Sequence, residues 1–233
     1  MNTATLHQRL VAETLGTALL LATVVGSGIM GERLAGGNMA IALLANAIAT
    51  GAALYALIST FGAISGAHFN PLVTLIECLE GHLPKREAAL YGSCQIIGAL
   101  LGVLAAHAMF ELPLLQTSPH VRTGMPQWWS EMVATFGLLL IILQCAKHRP
   151  SSVAAVVASY ITAAYWFTAS TSFANPAVTL ARSLTDTFAG IRPIDTPGFI
   201  AAQSLGAILA YGLYRWLQAG LPKQANKNIK PWY

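Results

Sequence analysis

Two Asn-Pro dipeptides, Asn70-Pro71 and Asn175-Pro176, stand 105 residues apart in segments that match in order and residue type. The first lies in Ala67-His68-Phe69-Asn70-Pro71-Leu72-Val73-Thr74-Leu75, the second in Ser172-Phe173-Ala174-Asn175-Pro176-Ala177-Val178-Thr179-Leu180. Ahead of them come Ala12-Glu13-Thr14 and Ser130-Glu131-Met132, and after them Gln95-Ile96-Ile97-Gly98-Ala99 and Gln203-Ser204-Leu205-Gly206-Ala207. Three landmarks repeated in one order mark an internal duplication, so the chain must build two copies of one unit. A lone Asn-Pro is an ordinary turn signal; a pair in matched register is not.

The medium follows from composition. Charged residues make up 9% of the chain and hydrophobic ones 55%, with mean hydropathy +0.58, against roughly 25% charged in a soluble domain. So little polar surface cannot coat a water-soluble globule, and the excess apolar side chains must face lipid. Soluble enzymes, nucleic-acid binders and secreted disulfide scaffolds are excluded, and a net charge of +4 gives no reason to expect a polyanionic partner. Cys78, Cys94 and Cys145 show neither metal-ligand nor CxxC spacing and read as packing residues, so neither metal nor cofactor is expected.

Six stretches approach the 20 or so apolar residues that cross a bilayer core: 11–30, 39–59, 88–110, 128–145, 152–170 and 199–217. The first is too long for a signal peptide and lacks a small-residue cleavage site, and is expected to be retained. Three spans per half is an odd number, so the second copy enters the membrane from the opposite face. That is an inverted-topology repeat. Between the second and third spans of each half, 61–80 and 171–187 are too broken by Gly, Ser, Asn and Pro to cross. Such backbone survives at membrane depth only when buried in protein or lining water. The fold expected is therefore an all-α membrane protein with six transmembrane helices and two re-entrant half-helices. It forms a single channel domain over 1–233, with repeats at about 8–110 and 127–219 and a tail at 220–233.

Short-loop charges orient it. Arg9, Lys85, Arg86, Lys147, Arg149, Arg215, Lys223, Lys227 and Lys230 fall on one side, and Arg33, Arg122 and Arg192 on the other. Nine against three places both termini in the cytoplasm.

Asn is a favoured helix N-cap and Pro a favoured first helical residue, so Asn70 and Asn175 each start a half-helix. The cap uses the carboxamide oxygen and leaves the NH2 donors free to face a pathway. Inverted repeats turn both positive helix ends to the midplane, which disfavours a cation there and admits a neutral solute with lone pairs.

These paired motifs, with Glu13, Glu131, Gln95 and Gln203, resemble the aquaporin and aquaglyceroporin (major intrinsic protein) family over about residues 13–217. The resemblance implies a pore in each protomer of a homotetramer, in a bacterial inner membrane, conducting water or small uncharged solutes without catalysis. Two departures bear on the solute. Leu72 stands where the family usually has Ala, adding bulk where the half-helices meet. Val178 stands where the family usually has Arg, so the constriction loses its cation. Family offsets place Thr50 and Ala163 at the other side-chain positions of this selectivity filter, with Ser172 contributing backbone. Thr, Ala and Val imply a wide, uncharged constriction with one hydroxyl. The stretch 175–193 looks most like the aquaglyceroporins of bacterial arsenic-resistance operons, which implies arsenite and methylated arsenicals, besides glycerol and water, as solutes.

Intramembrane carboxylates are functional by default. The resemblance implies that Glu13 and Glu131 are acceptors that hold re-entrant backbone; the residues alone also admit the coupling sites of an ion- or proton-driven transporter. Gln95 and Gln203 read as donors to the same loops or as interhelical hydrogen bonds. His68 is expected to line the pathway, its counterpart being Phe173. His107 is expected at a solvated span end. Arg182, one turn beyond Val178, either brings a displaced charge to the pore mouth or contacts lipid headgroups or loop carbonyls. Gly26-Ser27-Gly28-Ile29-Met30-Gly31 matches a dinucleotide-binding pattern, but it closes a membrane span with no preceding strand. Its glycines, like Gly98 and Gly102, read as sites of close helix contact.

Overall fold

A computed structural model describes residues 4–219; the tail at 220–233, with Lys223, Lys227 and Lys230, lies outside the described residues. Helix α1 (Leu6–Leu34) starts at a capping box in which Gln8 N–H donates to the Thr5 hydroxyl at 3.3 Å and Thr5 N–H donates to the Gln8 side chain at 2.7 Å. Asn38 caps α2 (Met39–Ser65), taking the N–H groups of Ala40 and Ile41. This helix stops at Gly66, whose φ of +91° only glycine adopts cheaply. The short α3 (Pro71–Leu79) follows, then α4 (Lys85–Met109).

The second half repeats the series with α5 (Met125–His148), α6 (Val153–Phe167), the short α7 (Pro176–Arg182) and α8 (Thr196–Ala219). Four of these, α1, α2, α4 and α5, are long and apolar enough to cross a membrane. The 152–170 stretch yields a helix of only 15 residues, because the backbone turns extended at Thr168 (φ −111°, ψ 138°). The expected 199–217 stretch lies within α8.

Each half packs alike. α1 lies against α2 and α4, α5 against α6 and α8, and a contact between α2 and α6 joins the halves. Glycine sets the approach. A Cβ on Gly98 of α4 would stand 2.3 Å from the Thr14 carbonyl oxygen of α1, and one on Gly206 of α8 would stand 2.3 Å from the Met132 carbonyl oxygen of α5. Both backbones come closer than any side chain would allow. The glycines occupy the same offset from Gln95 and Gln203, so the duplication read in the sequence is a duplication of contacts.

Large apolar side chains cover the outside, and a set of polar ones is buried within the apolar core. Leu15, Leu19, Ile48, Ile97, Leu101 and Ile208 are exposed, whereas Glu13, Gln95, Glu131 and Gln203 are fully buried. Lipid takes the outer surface and the polar groups gather inside.

Candidate functional site

α3 and α7 touch each other and also lie across helices of the opposite half, α3 on α8 and α7 on α4. Both begin at an Asn-Pro pair. Asn70 Oδ1 accepts the N–H of Leu72 at 3.0 Å, and Asn175 Oδ1 accepts those of Ala177 and Val178 at 3.0 and 3.3 Å. Pro71 and Pro176 hold the first helical position, where a missing N–H costs nothing. The NH2 groups do not stay wholly free, as the capping argument alone suggests. Asn70 Nδ2 donates to the Ala174 carbonyl at 2.8 Å, and Asn175 Nδ2 donates to the Phe69 carbonyl at 2.7 Å. This reciprocity, each Asn bonding the residue before the other, is what an approximate two-fold axis through the junction produces.

The approach to each Asn is strained in the same way. Ala67 and Phe69 have φ of 48° and 47°, and Ser172 and Ala174 have φ of 51° and 47°. These are the third and first residues before each Asn, and non-glycine residues there cost about 1–3 kcal/mol each. A carboxylate offsets that cost. Glu13 accepts His68 N–H on Oε1 at 3.0 Å and Phe69 N–H on Oε2 at 2.8 Å, together with the Ser65 hydroxyl at 2.6 Å and Gln95 Nε2 at 2.8 Å. Glu131 accepts Phe173 N–H at 2.8 Å, Ala174 N–H at 2.9 Å and Gln203 Nε2 at 2.6 Å. In a trans peptide the carbonyl points opposite to the N–H. The carbonyls of Ala67, His68, Ser172 and Phe173 therefore face away from the glutamates.

Among the described residues Gln95 and Gln203 donate to no loop backbone, contrary to one sequence reading. Each divides its NH2 between its glutamate and a threonine hydroxyl one turn into the half-helix, Thr74 or Thr179, at 2.9 Å in both halves. Those threonines donate in turn to the carbonyls of Asn70 and Asn175 at 3.2 and 2.8 Å. Sequence reasoning missed both, although their matched position four residues after each Asn was the available signal.

A cavity runs through this junction with about 70 Å³ open to the centres of water molecules, room for several. Asn70, Asn175, His68, Thr50, Ser172 and Val178 all line it. The Thr50 hydroxyl lies 3.2 Å from the Tyr165 hydroxyl, and His68 Nδ1 lies 3.1 Å from the Thr74 hydroxyl. Leu72 and Ala177 instead sit in the apolar core outside the lining, so the extra bulk of Leu72 is absorbed by packing.

Three further expectations need correction. Ala163 is exposed on the outer face of α6; Ile161 and Tyr165 turn inward, and at 3.6 residues per turn a residue two positions from either lies on the opposite face. The lining is not uncharged, since Arg182 is 2% exposed and contributes to it. Its Nε donates to the Ala189 carbonyl and its guanidinium lies 3.4 Å above the Phe173 ring centroid, so it meets a loop carbonyl but no lipid headgroup. His107 is fully buried and not solvated. Its ring bridges the Leu114 carbonyl at 2.9 Å and the Thr185 hydroxyl at 2.8 Å, tying two loops together.

With this geometry in place, the chain can be set beside known proteins. The model of the major intrinsic protein family matches residues 1–164. Aquaglyceroporin AqpS of Rhizobium meliloti is 56% identical over 212 residues, 91% of each chain. "Probable aquaporin AqpM" of Archaeoglobus fulgidus is 30% identical, covering 92% of this chain and 98% of its own. Among solved structures, the aquaglyceroporin of Plasmodium falciparum superposes with a TM-score of 0.65 at 18% identity, over 90% of this chain and 96% of the other, a likeness of fold.

Proposed function

The chain belongs to the major intrinsic protein family, and from that membership we propose that it is a passive channel for water and small uncharged solutes: glycerol, arsenous acid and methylated arsenicals. The observation that carries this reading is the state of the two buried carboxylates. Glu13 takes four donors and Glu131 three, close to the roughly four lone-pair sites a carboxylate offers. Neither lines the cavity, so neither is placed to bind a coupling proton or cation from the lumen. A coupled transporter would need one of them available.

The remaining parts follow from the same reading. α6 and α8 complete six crossings with α1, α2, α4 and α5, while α3 and α7 are the re-entrant half-helices of an inverted repeat. Both termini are cytoplasmic, the membrane is a bacterial inner membrane, and four copies assemble with one pore in each. Thr50, Ser172 and Val178 belong to the selectivity filter, with Tyr165 taking the place that family offsets assign to Ala163. The apolar side chains of the lining, Val178 among them, suit a methyl group, and its hydroxyls, those of Thr50 and Ser172, suit an oxyacid or polyol.

Val178→Arg tests the solute assignment. A guanidinium there would take up lumen volume and offer a methyl group nothing in return for lost water, a barrier of about 1–3 kcal/mol, or roughly five- to 150-fold in rate. Uptake by cells with matched protein amounts should fall most for a methylated arsenical, less for arsenite and glycerol, and least for water. An unchanged ratio of methylated arsenical to water would remove Val178 from the filter.

A further inference from the structure

Val178 and Arg182 are four residues apart on α7, one turn along one face, and both line the cavity. Side chains on a helix tilt toward its N-terminus, so the long arm of Arg182 folds back toward the turn that Val178 occupies. Val178 is short and leaves that space open. The guanidinium is held by Nε on the Ala189 carbonyl and by the face of Phe173 at 3.4 Å. Among the described residues no protein acceptor takes its two terminal amino groups. The Ser172 hydroxyl, 3% exposed and on the same lining, also lacks a protein partner among the described residues.

A second arginine behaves differently. Arg122 also stands over Phe173, at 5.1 Å, but its guanidinium is committed to the carbonyls of Gly190 at 2.7 Å, Ser170 at 3.2 Å and Phe188 at 3.4 Å. It is absent from the lining. Arg122 thus fixes the loop that presents the Ala189 carbonyl, and Arg182 is the cation left with donors to spare.

We propose that Arg182 is the specificity-determining cation of this lumen, its guanidinium occupying the space left by Val178, donating to oxygen atoms of passing neutral solutes and repelling cations. Ser172 completes the polar edge, accepting from or donating to the same solute hydroxyls. This rests on the channel reading above. A polyol or undissociated oxyacid gains two donors at the guanidinium, whereas a cation meets an unscreened like charge.

The test separates lumen electrostatics from a mere structural clamp on Ala189. In full-length protein with Cys78, Cys94 and Cys145 replaced by Ala, Val178→Cys supplies a thiol beside the guanidinium. Its modification in proteoliposomes is timed with neutral methyl methanethiosulfonate and cationic 2-aminoethyl methanethiosulfonate. Adding Arg182→Met should raise the cationic-to-neutral rate ratio by about fivefold or more, the effect of removing a unit charge about 4 Å away even across water with a dielectric constant of about 80. An unchanged ratio overturns the proposal. If the Met variant does not fold, Arg182→Lys decides: it should keep the ratio near that of the Arg parent while lowering the glycerol-to-water flux ratio about threefold or more. A Lys variant with an unaltered glycerol-to-water ratio overturns the donor role. Water flux, measured on every preparation, keeps the two readings apart. A parent protein that conducts no water contradicts the channel, and a conducting variant with unaltered ratios contradicts Arg182 alone.

Discussion

Asn70 and Asn175 are bound to each other's loops: the amide of Asn70 donates to the carbonyl before Asn175, and the amide of Asn175 donates to the carbonyl before Asn70. Each residue also caps its own half-helix, so one side chain fixes a helix start and the junction between repeats. Replacing either by Ala loses a cap and leaves a buried carbonyl unpaired, at a combined cost of about 2–4 kcal/mol. Asn70→Ala and Asn175→Ala should lower the unfolding midpoint in detergent by similar amounts, and the double variant by less than the sum, since both bonds hold one junction. Strict additivity in a thermal-unfolding series would mean that the two sites are independent.

The glutamates allow a graded test. Each uses both carboxylate oxygens, so Gln keeps one acceptor and Ala keeps none. Flux of water and glycerol should fall in the order parent, Glu13→Gln, Glu13→Ala, and likewise at Glu131, without any proton dependence appearing. Stopped-flow swelling on matched protein amounts measures the order. Equal flux from the Gln and Ala variants would separate the loops from the carboxylates.

How far the sequence reached is clearest at α6. The duplication and the Asn-Pro junction were legible because they are properties of order and residue type, which folding preserves. The position of Ala163 was not, because it depends on how many residues the loop at 168–174 spends before Asn175. A small change in that count rotates a helix face from lumen to lipid. Arg182 was open between two readings for a related reason: spacing puts it on the face of Val178, but burial and its contact with Phe173 are tertiary facts.

That difference makes a discriminating pair of variants. Thr50 lines the cavity and Ala163 is exposed. Thr50→Trp should cut glycerol flux about tenfold or more, the effect of adding about 1.4 kcal/mol to the barrier, and should reduce water flux less. Ala163→Phe should leave both near the parent's values. A block by Ala163→Phe with Thr50→Trp silent would reverse the facing of α6 and α2.

Close approach at Gly98 and Gly206 predicts equivalent damage in the two halves. A Cβ at either would overlap a carbonyl oxygen on the neighbouring helix. Gly98→Ala and Gly206→Ala should each cost about 1–3 kcal/mol through overpacking, and Gly212→Ala, whose Cβ meets nothing within 4 Å, should not. Thermal unfolding of the three variants in detergent checks this; loss of stability at Gly212 alone would contradict the packing described.

Passive conduction of neutral solutes is most directly tested by glycerol flux into proteoliposomes of the unaltered protein, measured by light scattering with and without an imposed pH gradient. With Glu13 and Glu131 engaged by four and three donors and absent from the lumen wall, flux should scale with the glycerol gradient and be unchanged by the pH gradient or by a protonophore. Glycerol accumulation that follows the pH gradient and collapses with the protonophore would contradict a passive pore and make the buried carboxylates coupling sites.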